Sequence, residues 1–355
     1  MDIVTHGLAS LAVARGFFPR AGKLAVVSAV LAGTIADLDW LSNYFGPSAF
    51  LRWHGTYTHS ILLAILVAAG AAMFAALIQR RFLPVRLAGP EGDATLRGAR
   101  GRGDLAINLA PVLYASLCAA LLHIAMDACQ SGGVSLLWPF SSRRLAADWL
   151  PRIDPWILTI LIACIALPEL FHLVSSEIGA KAKKPRGQTG AIIGLALVLA
   201  YVGARATLHS NVIALMESRT FHGETSRRAK SFPESLSLLT WHGVVETDSA
   251  LNVIEVDAAS ASNFDPDSSV RLFKPEPSPA LDAARNTVAA KRFLARAQIP
   301  KASMEKTEAG YVVVLRDLRY AASGEIQHEI AAVIELDPSN KVTSQELVWA
   351  RDRRK

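Results

Sequence analysis

Cysteine is scarce in this chain. Cys118, Cys129 and Cys164 all lie in or beside apolar runs, with no paired spacing. That excludes a disulfide framework and a Cys-type zinc site. The first residues have neither a basic start nor a small-residue cleavage site, so no removable signal peptide is expected. There is no internal repeat. The zinc-protease signature His-Glu-x-x-His is missing. So are the Lys/Arg-rich motif and Ser-Gly-His segment that intramembrane phosphatases carry beside a His-x-x-x-Asp pair.

Apolar sequence, by contrast, is abundant. Hydrophobic letters make up 51% of 355 residues, and the mean hydropathy is +0.28, too apolar for an ordinary soluble domain. The excess is confined to residues 1–208, whereas 209–355 read as a charged globular sequence. Two domains are therefore expected, a membrane domain over 1–208 and a soluble one over 209–355.

A spanning helix needs about 20 mostly apolar residues. Residues 59–78, 108–129 and 189–208 meet this, and 155–174 does so with Pro168 as an expected kink. Two shorter runs, 4–18 and 24–36, suit a tilted or re-entrant helical hairpin turning at "FFPRAGK". The predicted fold class is mainly α, a polytopic transmembrane bundle of about six apolar segments followed by a small α+β extracytoplasmic domain. In the latter, "YVVVLRDLRY", "EIAAVIELD" and "KVTSQELVW" read as strands, with a turn at 337–340. Residues 279–297 suit one helix, and 261–279 read as loop.

The formal net charge is +6, carried largely by short clusters such as "RGARGRG" and "KAKKPR". Beside apolar 20-mers such clusters set membrane orientation rather than bind nucleic acid. Segments 15–23, 80–103 and 181–186 hold three, six and four Lys or Arg, whereas 40–58 and 130–154 hold one and three. The first set should be cytoplasmic. The chain is then a multi-pass protein of the inner (plasma) membrane, in contact with membrane lipid, with residues 209–355 outside.

Polar residues of the membrane half fall in a pattern. His6 opens the first run, Asp37 and Asp39 end the second, His54 and His59 precede the third, and His123 and Asp127 end the fourth. Under the charge-derived orientation all seven sit at outer helix ends. Imidazole and carboxylate are the nitrogen and oxygen ligands of zinc and related divalent metals. His123 and Asp127, four apart, share one helix face. Asp37-x-Asp39 points both carboxylates inward only where the helix frays. A single His or Asp at a membrane boundary reads first as a solvated cap. Seven ligand types on one face read as a site for a divalent metal, with zinc expected and room for two or three ions.

Other groups carry less. Glu169 and His172 have a Glu-x-x-His spacing that occurs once and at the cytoplasmic end, which suits packing. His209, His222 and His242 read as surface histidines, and His328 has no partner letters. Asp148 and Asp154 are loop carboxylates near the expected site. In "SGGVSLLWPFSSRR", Trp138 suits the membrane interface and Arg143 and Arg144 suit phosphates of lipid or substrate, and all three are expected to contact substrate.

The segments "MDIVTHGLAS", "GTIADLDWL", "HGTYTHS", "HIAMDACQSGG" and "LLWPFSSRR" occur in an order that resembles the YdjM-type family of membrane-bound metal-dependent hydrolases. "RFLARAQIP" and "DLRY" look like a longer branch of it. The resemblance implies a helical metal site distantly similar to that of zinc-dependent phospholipase C and P1 nuclease, carried here by His6, Asp37, Asp39, His54, His59, His123 and Asp127. One departure stands out. The family usually reads His-Arg-Gly-x-Thr-His, and here the Arg position is Gly55, which removes a possible phosphate contact.

Two functions are consistent with this reading. One is a metal-dependent hydrolase at the outer membrane face, acting on a phosphoester such as a lipid head group, with metal-activated water oriented by Asp37 or Asp39. The other is a non-enzymatic membrane protein stabilised by its metal, whose outer domain binds an envelope partner.

Overall fold

The computed structural model describes residues 1–82, 109–177, 187–260, 264–323 and 329–350. The basic segments over 83–103 and 181–186, His328 and the side chain of His172 lie outside the described residues.

The helical half runs α1 (Ile3–Phe17), α2 (Gly22–Thr34), a 3-10 stretch (Ile35–Phe45), α3 (Pro47–Trp53), α4 (Ile61–Phe82), α5 (Leu109–Ala128), α6 (Pro155–Glu177) and α7 (Gln188–Glu217). Among the described residues, four stretches are long and apolar enough to cross a membrane: Pro19–Phe45, Ile61–Gln79, Leu109–Ala128 and Gln188–Glu217. Ile3–Phe17 and Pro155–Leu170 are shorter apolar helices. The α1–α2 hairpin turns through Pro19–Ala21, within the expected "FFPRAGK".

The helices meet through small residues, as expected where lipid removes any hydrophobic drive between them. α2, α4 and α5 pack on one another, α1 contacts α2, α5, α6 and α7, and α6 packs on α7. The packed faces are dominated by alanine, including Ala9, Ala12, Ala29, Ala68, Ala115 and Ala119. At Gly190 the approach of α7 to α6 leaves no room for a methyl group: a Cβ would lie 2.3 Å from the Cys164 carbonyl oxygen and 2.6 Å from Pro168 Cγ. At the same end, Arg15 of α1 pairs with Glu169 of α6 at 3.1 Å. Glu169 thus takes part in helix packing.

α7 does not stop at residue 208. It continues to Glu217, and its last turns bury Val212 and Met216 among Phe221, Trp241, Val245 and Val256. The second domain is therefore built onto the end of a membrane helix, and the expected boundary at 208/209 falls inside that helix. Arg205, 1% exposed, donates to the carbonyls of Trp149, Ser237 and Leu238 and lies over the Trp241 ring.

The C-terminal half begins with a hairpin, β1 (Thr220–Phe221) and β2 (Glu224–Thr225). A four-stranded antiparallel sheet follows, β3 (Arg228–Pro233), β4 (Thr240–Glu246), β5 (Ala250–Asp257) and β6 (Val270–Phe273), in that order. Next come α8 (Pro279–Arg285), α9 (Val288–Leu294), β7 (Pro300–Thr307), β8 (Gly310–Asp317), α10 (Leu318–Ser323), β9 (Ile330–Leu336) and β10 (Val342–Trp349). These strands form a second antiparallel sheet in the order β10-β9-β8-β7. Leu281, Ala290 and Phe293 of α8 and α9 cover Val313, Leu315, Ala332 and Ile334 of this sheet.

Three expectations for this half are corrected. The single helix over 279–297 is two, because Thr287 takes an extended conformation and its side chain caps Ala290 N of α9. The loop over 261–279 contains β6, which pairs with β5 along one edge. His209, His222 and His242 are half-buried rather than on the surface. His209 lies against Trp241, and His222 bonds Ser269.

Candidate metal centre

Asp2 caps α1 by accepting from Val4 N and Thr5 N at 3.1 and 2.9 Å, which sets His6 one turn inside the helix, 1% exposed. The 3-10 geometry after α2 decides the fate of the Asp pair. With three residues per turn, positions two apart point in different directions, so Asp37 and Asp39 serve different partners. His123 and Asp127 stack on one face of α5. One ligand atom from each of His6, Asp37, His123 and Asp127 lies within 4.8 Å of the others. These residues come from three separate elements at one end of the bundle.

His123 Nδ1 donates to the Gly33 carbonyl at 2.8 Å, and its Nε2 lies 3.5 Å from Asp127 Oδ2 and 3.8 Å from Asp37 Oδ1. His6 Nε2 is 3.1 Å from Asp127 Oδ1, and the His6 ring stacks on His123. His59 Nε2 is 3.1 Å from both His123 Nε2 and Asp127 Oδ2. The Met1 amine bonds Asp127 and, at 2.9 Å, Gln130 Oε1.

Asp39 looks the other way. Its oxygens accept from His54 Nδ1 at 2.7 Å, Gly55 N at 2.9 Å and Thr58 Oγ1 at 2.5 Å, and His59 Nδ1 is 3.1 Å distant. It is the post on which the loop 54–59 is hung, holding the two loop histidines from behind. His54 belongs to this loop rather than to the tight four-residue cluster, with its side chain 31% exposed. Gly55 has φ of 66°, and a Cβ there would lie 2.7 Å from Arg144 Nη2.

The residues fit a divalent cation. The donors are imidazole and carboxylate alone. His6 Nδ1 and Asp37 Oδ2 are buried without a hydrogen-bond partner among the described residues. A carboxylate oxygen buried in this way is costly unless a cation meets it.

Asp37 and Asp127 of the cluster, with His59, line a cavity of about 880 Å³ that lies between the membrane half and the C-terminal domain. Its lining combines apolar side chains, among them Ile3, Leu38, Leu41, Ile153 and Leu236, with charged ones. Arg144, Arg152, Arg296 and Arg319 supply the cations, and Asp2, Asp37, Asp127 and Asp317 the carboxylates. Of the three residues expected to contact substrate, only Arg144 lines the cavity. Trp138 instead packs edge-on against Tyr57, and Arg143 is exposed. The Val134–Leu145 bridge closes the intervening loop.

Arg296 and Arg319 are contributions that sequence reasoning missed. They sit within "RFLARAQIP" and "DLRY", but a lone arginine in a soluble domain carries no sign of its distance from a membrane site. Asp148 and Asp154 are structural. Asp148 accepts from Lys230 Nζ at 2.9 Å and Gln298 Nε2 at 2.8 Å, whereas Asp154 caps α6 and accepts from Tyr201 OH.

A family model described as "YdjM inner membrane protein" matches residues 1–212. A second, described as "YfhP C-terminal alpha/beta plait domain", matches residues 279–355. No curated protein and no solved structure matches the chain. The first match spans all the elements that converge on the His/Asp cluster and more than half of the sequence, so the chain belongs to the YdjM inner membrane protein family.

Proposed function

We propose that this protein is a membrane-bound, metal-dependent hydrolase that cleaves a phosphoester, most simply one carried by a lipid head group. The observation that carries the reading is the convergence of His6, Asp37, His123 and Asp127 within 4.8 Å, with Asp37 and Asp127 lining a cavity that also carries arginine and apolar side chains. Zinc is the ion that this donor set suits best. A divalent ion held there would supply Lewis acidity toward a phosphoryl oxygen and acidify water near neutral pH.

The chain's own groups divide the remaining work. Gly33 holds His123 in the tautomer whose Nε2 faces the cluster, and Asp39 with Thr58 orients His59. Such outer partners keep ligands in place. Asp37 lines the cavity and its Oδ2 has no partner among the described residues, so it is the carboxylate suited to orient an attacking water and take its proton. Asp39 is already engaged with the loop and acts as a positioning residue.

We place the site and the C-terminal domain on the extracytoplasmic side. In support, Arg15, Arg20 and Lys23 lie at the end of the α1–α2 hairpin away from His6. The start of α7, which follows the basic segment 181–186, lies beside that same end through the Gln188–Gly16 hydrogen bond.

The test is elemental analysis of the purified full chain, followed by turnover with zinc or manganese on a panel of phosphodiesters and phospholipids. Hydrolysis that is lost in His123→Ala and Asp127→Ala, with folding intact, supports the reading. Bound metal with no turnover across the panel favours the metal-stabilised, partner-binding alternative.

A further inference from the structure

The 3-10 stretch Ile35–Phe45 does more than separate Asp37 from Asp39. Three residues per turn set Ile35, Leu38, Leu41 and Tyr44 in one row, and these are 43%, 53%, 51% and 76% exposed. An α-helix, turning about 100° per residue, would carry Tyr44 to the side away from Ile35. Leu38 and Leu41 line the cavity, whereas Ile35 and Tyr44, at the ends of the row, do not. One apolar row therefore runs from the outside of the bundle into the cavity lining and out again. The neighbouring row holds Asp37 and Trp40, which also line the cavity. A single element thus carries a carboxylate of the cluster and, beside it, apolar surface continuous with the exterior.

What meets that exterior follows from its place in the chain. The row lies within Pro19–Phe45, one of the stretches long and apolar enough to cross a membrane, so acyl chains are its natural neighbours. Other apolar lining residues stand at the ends of apolar helices. Ile3 opens α1 and Ile153 precedes α6, and each is about half exposed. The C-terminal domain adds Leu236, 75% exposed, from the connection between β3 and β4. Its carbonyl accepts from Trp156 Nε1 at 3.4 Å. Trp156 stands in the first turn of α6, and tryptophan rings settle at the membrane–water boundary. Leu236 is thereby held at the level of the bilayer surface. Arginines and aspartates both line the polar part of the cavity, so charge alone selects no ligand. The apolar surface does select, because it shields an acyl chain from water while a polar head reaches Asp37.

We propose that a bilayer lipid enters the cavity sideways, past Leu38, Leu41 and Leu236, with its acyl chain on the apolar row and its head group beside Asp37. The C-terminal domain, through Leu236, forms part of this entrance. The lipid class rests on the phosphoester reading above, but occupancy is measured without turnover.

The experiment places p-benzoylphenylalanine, which captures neighbouring C–H groups on irradiation, in the full chain in nanodiscs of phosphatidylethanolamine and phosphatidylglycerol. It replaces Leu51, which lines the cavity from α3 and lies outside the apolar spans. Leu199 of α7, 74% exposed, is the lipid-facing control, and Ser339, between β9 and β10, is the solvent control. Lipid adducts are expected at positions 51 and 199 and not at 339. Leu38→Gln combined with Leu41→Gln should cut the adduct at 51 about tenfold or more, since an amide facing an acyl chain finds no hydrogen-bond partner. The adduct at 199 should be unchanged, and Leu38→Met with Leu41→Met should keep both. Leu236→Gln, on an exposed connection, repeats the test should the double Gln variant fail to fold. No lipid adduct at 51 beside a clear one at 199, an unchanged adduct in the Gln variants, or capture of a second copy of the chain in place of lipid overturns the proposal. Lipid capture with no hydrolysis of any substrate sinks the hydrolase reading alone. Hydrolysis of a soluble phosphodiester with no lipid capture sinks this one alone.

Discussion

His123 Nδ1 lies 2.8 Å from the main-chain oxygen of Gly33. A carbonyl only accepts, so Nδ1 carries the hydrogen and Nε2 presents its lone pair to Asp127, Asp37 and His59. The bond crosses from α5 to α2, so the same contact that packs the helices sets the tautomer of the candidate ligand.

Asp39 does for the loop histidines what Gly33 does for His123. Asp39→Asn should lower metal affinity by roughly 10- to 100-fold while leaving some binding, because ligand orientation is lost and the four-residue cluster is kept. Asp127→Asn should abolish binding. Competition with a chelator of known affinity measures both.

Metal binding should also stabilise the bundle, since the cluster ties α1, the 3-10 stretch and α5 together. At an ion concentration 100-fold above Kd the gain is about 2.7 kcal/mol. Chelator should therefore lower the melting temperature of wild type by several degrees and leave that of Asp127→Asn unchanged.

Gly190 tests the packing on the other side of the molecule. The added methyl of Gly190→Ala meets backbone at Cys164 and the ring of Pro168, so α7 must shift from α6. The expected cost is about 1–3 kcal/mol, read as a lower melting temperature with metal content unaltered.

Asp148 fastens the C-terminal domain to the membrane half through Lys230 and Gln298. Asp148→Ala leaves the Lys230 ammonium without its partner, and Lys230 is partly solvated, so a loss of about 1–3 kcal/mol is expected. Limited proteolysis should then cut between α7 and the first sheet sooner than in wild type.

Placement across the membrane is checked by labelling. In a cysteine-free background, Ser339→Cys should react with an impermeant maleimide added outside intact cells, and Arg20→Cys only after lysis. The reverse pattern overturns the proposed orientation.

Local signals were strong wherever chemistry and geometry act along the chain. The apolar runs gave α4, α5 and α7 because a lipid-length helix is set by composition alone. The turn at 337–340 was legible because the Asp337 side chain accepts from Ser339 N and Lys341 N, an interaction within five residues. The His/Asp set could be assembled because its members all stand at helix ends. The sheet β3–β6 was not seen, since strands whose pairing partners lie along a mixed polar sequence have no strong period.

The split of Asp37 from Asp39 depended on a 3-10 turn that no letter announces. The arrival of Arg296 and Arg319 at the cavity depended on how a second domain docks, across more than 160 residues of chain. Residue order by itself determined that this is a membrane helix protein with imidazole and carboxylate groups at one end of its spans, because hydrophobic length and ligand chemistry are properties of the residues themselves. Which carboxylate faces the cluster, which holds the loop, and which arginines line the cavity were decided only by tertiary structure. Those are questions of distance, set by the packing of groups far apart in the chain.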